Sequence, residues 1–258
     1  MEEPIRLVED AIKDSIDAFV KEPTIYFEEA HIHSLFYCCF MKRLTKVGRK
    51  NIAQTNDGVK VPLFMNEYTT VNHYSREGDK REVANGRKGY GPGSIDFIFL
   101  NKEWIEINDY NTVVNKFAKT RISSWKNQKK ADQKEERRFD FAIEFKFFHY
   151  GKKYSIDSED CKNEWPSYTQ KAKLGQIEKA MELDIEKLEY ENPKHAYIVC
   201  FNSEVPVIEK DIGNLINNEL KKPENLKIFY AQSGIPKRFK DGEKFSIPKT
   251  LSTRTMLV

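Results

Sequence analysis

Phe139-Asp140-Phe141-Ala142-Ile143-Glu144-Phe145-Lys146-Phe147-Phe148 is the stretch on which the reading of the fold turns. It is rich in aromatic residues, contains neither glycine nor proline, and lies between polar segments, which predicts a β-strand. Strand alternation puts Glu144 and Lys146 on one face and Ile143, Phe145 and Phe147 on the other. Two ionisable groups therefore share one face of a buried strand. Leaving charge unpaired in an apolar interior costs several kcal/mol even after relaxation, so these groups must meet each other, an ion or an open cleft.

Working outward, Ser94–Leu100 reads as a second strand. Its alternation places Asp96 with Ile98 and Leu100, and Ile95, Phe97 and Phe99 opposite. Val61–Thr70 is a further extended run, and the glycine-punctuated interval from His73 to Gly93 predicts a long exposed loop. Trp104–Ile107 is expected to extend and pair back through an Asn101-Lys102-Glu103 turn. Residues 108–138 are polar, partly helical and dense in lysine and arginine.

Helical periodicity marks Ile5–Val20, a second helix capped by Thr24 and running to Leu44 with Ile32, Leu35, Phe36, Cys39 and Phe40 buried, then Ser167–Tyr190 and Val207–Leu220. Residues 45–59 read as loop, Ala196–Phe201 and Leu226–Tyr230 as strands, and the C-terminal residues as irregular. No internal repeat or low-complexity linker divides residues 1–258, so the expectation is one α/β domain with insertions.

The chain's 258 residues are 39% hydrophobic and 32% charged, enough apolar content to close a core, which excludes a disordered tail. No apolar run approaches the roughly 18 residues of a membrane span. The acidic start, Glu2-Glu3, followed by no apolar signal region predicts a cytoplasmic location. Cys38, Cys39, Cys161 and Cys200 include a vicinal pair and no Cys-x-x-Cys spacing, and read as reduced thiols without zinc. A net charge of +3 does not by itself announce a nucleic-acid partner, so that case rests on local clustering.

Carboxylates and a lysine at strand level suit a hard cation. Magnesium keeps several waters, needs only one or two protein carboxylates, and takes other ligands from substrate phosphate. Asp96 and Glu144 meet that need, and Lys146 could hold or deprotonate a water nearby. Asp96 followed by Glu144-Phe145-Lys146 resembles the PD-(D/E)-x-K nuclease superfamily, with Ile95 where the family pattern has proline. The order of elements over about residues 24–202 (helix, three strands, helix, strand) resembles it too.

The resemblance implies a restriction-endonuclease-like three-layer core, with a central mixed β-sheet flanked by helices. It also implies Asp96, Glu144 and the Phe145 carbonyl as metal ligands, Lys146 as the residue that positions or activates water, and Mg2+, or Mn2+, as cofactor. A basic insertion at about 101–138 and a C-terminal α/β extension at about 203–258 would surround that core.

Many such proteins carry an acid on the first core helix. Glu29 matches that spacing, although helical phase brings Glu28 nearer Ile32 and Leu35. Glu67 on the first strand is a weaker candidate for the same neighbourhood. Lys126, Lys129 and Lys130 in the insertion, Arg87 and Lys88 before Asp96, and Lys173 on the later helix are candidate contacts to a phosphate backbone. Asp184-x-x-Lys187-Leu188 resembles a sequence of some nuclease-like families, and Asp184 reads either as a structural ion pair with Lys187 or a neighbour or as part of the catalytic machinery. His31 and His33 face apart on their helix and do not form a zinc pair. Gly89–Gly93 precedes a strand and lacks the residues of a phosphate-binding loop, so it reads as a turn. The expected activity is metal-dependent endonucleolytic hydrolysis of DNA, with RNA and a homodimer both compatible. The alternative is an inactive module of the same fold that binds nucleic acid or a protein.

Overall fold

A computed structural model describes residues 2–22, 25–26, 28–48, 50–75, 90–115, 138–148, 170–203, 209–232 and 256–257. Its centre is a mixed sheet whose strands lie in sequence order: β3 (Phe64–Ser75), β4 (Tyr90–Leu100), β5 (Phe139–Phe148), β6 (His195–Asn202), β7 (Leu226–Gln232) and β8 (Met256–Leu257). The first three form an antiparallel meander. β6 then pairs parallel to β5, β7 parallel to β6, and β8 antiparallel to β7. A separate antiparallel hairpin, β1 (Ile52–Gln54) with β2 (Lys60–Pro62), precedes the sheet.

Parallel neighbours need a crossover, and helices supply it. α5 (Gln170–Glu191) links β5 to β6. α6 (Glu209–Asn214), continued by one π-helical turn (Leu215–Glu219), links β6 to β7. Together with α3 (Lys102–Ile107) and α4 (Tyr110–Asn115), these cover one face, where Ile177, Met181, Trp104, Val113 and Ile212 pack on Ile98, Ala142 and Ile198. α1 (Glu2–Lys21) and α2 (Glu29–Lys46) cover the other, with Ile12, Ile16, Phe36 and Phe40 against Phe97, Phe145 and Phe201. A sheet buried on both sides favours strands that are apolar on both sides, which is why β5 and β6 are nearly continuous hydrophobic runs.

Several expectations are corrected. Trp104–Ile107 is helix, not strand: Asn101 accepts a bond from the Trp104 N–H as N-cap, and Trp104 and Ile105 bury one side of the short α3. Helix α2 begins at Glu29 after Glu28, not from a Thr24 cap, and Thr24 lies outside the described residues. Residues 45–59 contain β1. Strands β3 and β4 run to Ser75 and back from Tyr90, so the ends of the expected loop are paired, and residues 76–89 are outside the described set. The C-terminal Met256–Leu257 pair with β7 rather than being irregular.

Side-chain alternation also breaks twice. Asp140 is skipped in the β4–β5 ladder, which pairs Phe99 with Phe141 and Leu100 with Phe139, so Phe139 joins the α5 side. At Asp96, Ile95 shares the cluster of Ile98 and Leu100 while Phe97 lies opposite. Ile95 and Phe97 thus do not share a face, and Asp96 does not simply follow Ile98.

Candidate active site

The β4–β5 ladder ends at Phe97 paired with Ile143. One step further in the same register stand Asp96 and Glu144, and there the strands part. The lost ladder bond is replaced by a side chain: the Phe145 N–H donates to Asp96 Oδ2 at 2.6 Å. Burial works to raise the Asp96 carboxyl. The His33 imidazole, the Phe145 N–H and the Lys146 ammonium outweigh it and hold Asp96 below the ordinary aspartate value.

Helix α2 brings Glu29 and His33, four residues apart and therefore on one side of the helix. His33 stands one turn before Phe36 on the inward side, and its ring lies 5.4 Å from Phe97 and 5.6 Å from Phe145. These rings fix the imidazole with Nε2 3.6 Å from Asp96 Oδ2 and 3.9 Å from Glu29 Oε1. Both distances exceed hydrogen-bond reach, and this buried nitrogen has no hydrogen-bond partner among the described residues. Burial pulls the His33 pKa down, but Asp96, Glu29 and Glu67 together carry it above the ordinary histidine value. Glu29 is raised, chiefly by burial, while Lys146 opposes the shift. Glu67 sits within electrostatic reach of His33 and takes a left-handed backbone, φ +50°, unusual for a residue with a side chain.

Glu144 and Lys146 project to the α5 face, as alternation from Glu144 onward requires. Asp184 and Lys187 of α5 meet them there. Lys187 Nζ lies 2.5 Å from Glu144 Oε1 and 3.5 Å from Asp184 Oδ1, and donates to the Ser94 carbonyl at 2.8 Å. Lys146 Nζ is 2.9 Å from Asp184 Oδ2. Glu144 is only 1% exposed. Burial, then the Asp184 carboxylate, push its pKa well above the usual glutamate value against the pull of Lys187. Burial disfavours the Lys146 ammonium, yet Asp184, Glu144 and Asp96 hold its pKa above that of an ordinary lysine. Lys146 thus keeps its positive charge in this arrangement.

Asp96, Glu144, Lys146 and Glu29 therefore come to one locality, and Glu29 rather than Glu28 joins it. His33 makes no pair with His31, two residues before it on the helix. The informative spacing was with Glu29, one turn back. Lys187 and Asp184 pair with each other, and beyond that with Glu144 and Lys146. The Lys173 side chain and all of Arg87, Lys88, Lys126, Lys129 and Lys130 lie outside what is described.

Ligand atoms of Glu29, His33 and Asp96 lie within 4.8 Å of one another. Donors bound at about 2.0–2.2 Å to one ion sit roughly 3–4 Å apart, so this set, with its unpartnered imidazole nitrogen, fits a divalent cation. No protein-family model, curated protein or solved structure matches the chain. No described helix is long and apolar enough to cross a membrane.

Proposed function

We propose that the chain is a metal-dependent phosphodiesterase, a nuclease of the PD-(D/E)-x-K type with a restriction-endonuclease-like core, acting on DNA. The observation that carries the reading is the gathering of Asp96, Glu29 and His33 where β4 and β5 diverge, with Glu144 and Lys146 of β5 within electrostatic reach of Asp96. The order α2, β3–β4–β5 meander, α5 crossover and β6 parallel to β5 supports it, being the order that the sequence resemblance implies. This reading takes Mg2+ or Mn2+ as cofactor and a cytoplasmic setting.

Glu29, His33 and Asp96 would hold the ion, with Glu144 beside them. A divalent ion supplies Lewis-acid charge to a phosphate oxygen and lowers the pKa of water. The chain's own part is positional and electrostatic. Asp96 stays ionised because Phe145 and His33 support its charge. Lys146, kept protonated, offers positive charge and a donor to a phosphate oxygen or an attacking water.

The test is cleavage of plasmid and oligonucleotide DNA with Mg2+, Mn2+ or EDTA. Divalent-dependent cleavage is expected in the parent protein and a loss of at least 100-fold in Asp96→Ala, Glu144→Ala and Lys146→Ala, the scale of removing one charge-stabilising group. Parent-rate cleavage by any of these variants refutes its assigned role. Salt-sensitive DNA association without turnover would replace the enzyme by the binding module.

A further inference from the structure

The ionisable groups around the β4–β5 fork divide into two sets. On the α5 face, Glu144, Lys187, Asp184 and Lys146 form a chain in which each anion meets a cation, and its charges balance. On the α2 side, Glu29 and Asp96 place two carboxylates around the His33 nitrogen that lacks a hydrogen bond. With the imidazole neutral, Glu29 and Asp96 leave two negative charges there, which one divalent cation would offset, and Glu67 stands within electrostatic reach of the same imidazole.

Lys187 does more than pair along its own helix. Its ammonium ties β4 through the Ser94 carbonyl and β5 through Glu144, the two strands whose ladder has just ended. A cation that bridges two parting strands through oxygen atoms does there what a bound metal ion could also do. Bringing a divalent ion up to the buried Glu144 would set it against the Lys187 ammonium 2.5 Å away, and repulsion between like charges grows as water is excluded.

We propose that Lys187 is a built-in cation standing in for a second ion, so that the centre takes a single divalent ion on the Glu29, His33 and Asp96 side with His33 Nε2 among its ligands. The inference rests on the metal-dependent reading of this site and fixes its stoichiometry and donor set. Lys187 acts through Glu144 and is a positioning residue. An imidazole donor suits first-row transition ions better than Mg2+ or Ca2+, and Mn2+ is the paramagnetic probe used below.

Mn2+ titration of the full chain, followed by calorimetry and by electron paramagnetic resonance, tests it. The parent protein is expected to bind one Mn2+ per chain, with nitrogen hyperfine coupling that disappears in His33→Gln. Lys187→Arg keeps one ion. Lys187→Gln admits a second, seen as a doubled stoichiometry and an exchange-coupled signal. Two ions in the parent, absence of nitrogen coupling, or a single ion in folded Lys187→Gln overturns the proposal. Should Lys187→Gln not fold, two ions in the parent or in Lys187→Arg, or an absence of nitrogen coupling, still overturns the proposal. Cleavage is read separately: one nitrogen-coordinated ion without hydrolysis supports the inference and sinks the nuclease reading. Hydrolysis with two ions does the reverse, and no saturable Mn2+ binding overturns the inference together with metal dependence.

Discussion

Lys187→Met should destabilise the protein by about 3–5 kcal/mol near neutral pH, the range found when one member of a buried ion pair is removed and the other is left uncompensated. The site meets the condition for that range: Glu144 is 1% exposed and the Lys187 side chain 14% exposed, so water cannot readily replace the lost ammonium. An m-value of about 3 kcal/mol/M would turn this into a fall of about 1–1.7 M in urea midpoint. The comparison is Lys227→Met, which breaks the 2.6 Å pair with Glu9 at a lysine side chain 53% exposed and should cost under about 1 kcal/mol.

The loss in Lys187→Met should also depend on pH. Burial and Asp184 already raise the Glu144 pKa, and removing Lys187 raises it further. The folded variant then holds a proton that the unfolded chain releases near pH 4.3, so its stability declines as pH rises from that value through the folded pKa. Glu144→Gln on the Lys187→Met background should restore most of the stability and abolish the added pH dependence. Urea unfolding of the four combinations at several pH values decides the matter. A Lys187→Met loss below about 1 kcal/mol at neutral pH with unchanged m-value, or no recovery in the double variant, refutes the view of Glu144 as a buried charge held by Lys187.

Asp96→Ala should lose about 1–3 kcal/mol, because the Phe145 N–H is left without its acceptor, whereas Asp96→Asn, which retains a carbonyl oxygen, should lose less; denaturant melts in EDTA measure both. His33 has a folded pKa raised above its unfolded value of about 6.5, so its electrostatic contribution is complete below that pH and is lost as pH rises through the folded pKa. In EDTA the stability advantage of the parent over His33→Gln should therefore shrink from pH 6 toward alkaline pH, and an advantage that grows over that interval contradicts the assignment. Phe36→Ala, which empties a fully buried position among Phe40, Phe64, Phe97 and Phe145, should cost about 3–5 kcal/mol by thermal or chemical unfolding.

Much of the fold was legible because the two-sided burial of β5 and β6 leaves long apolar runs, and because α2 and α5 carry apolar residues at helical spacing. Trp104–Ile107 misled for a physical reason: a one-turn helix is too short to show periodicity, and its defining feature is a cap at Asn101 rather than a pattern. The ends of β3 and β4 were hidden by Gly91, Pro92 and Gly93, residues that normally signal turns but here lie within a paired hairpin. Asp96, Glu144 and Lys146 stood out as charges inside apolar strands. His33 did not, since a histidine within the apolar stripe of a helix is unremarkable until the strand opposite it supplies a carboxylate.

The same geometry explains why such costly groups tolerate one another. Where β4 and β5 part, backbone groups lose their ladder partners, and side chains take over their bonding: Asp96 receives the part-buried Phe145 N–H and Lys187 serves the Ser94 carbonyl. The residues that close the sheet's fork are thus the ones whose charges define the candidate site. Removing any of them disturbs backbone satisfaction or charge compensation as well as chemistry. Activity losses at Asp96 or Lys187 alone cannot separate these roles, whereas Lys146, whose partner is the Asp184 side chain, offers a cleaner chemical probe. Asp184→Asn leaves Lys146 in place but weakens the strongest interaction supporting its charge, so it should lower the pH at which Lys146-dependent cleavage is lost on the alkaline side. An alkaline loss of Lys146-dependent cleavage that falls at the same pH in parent and Asp184→Asn would show that Asp184 does not support the Lys146 charge.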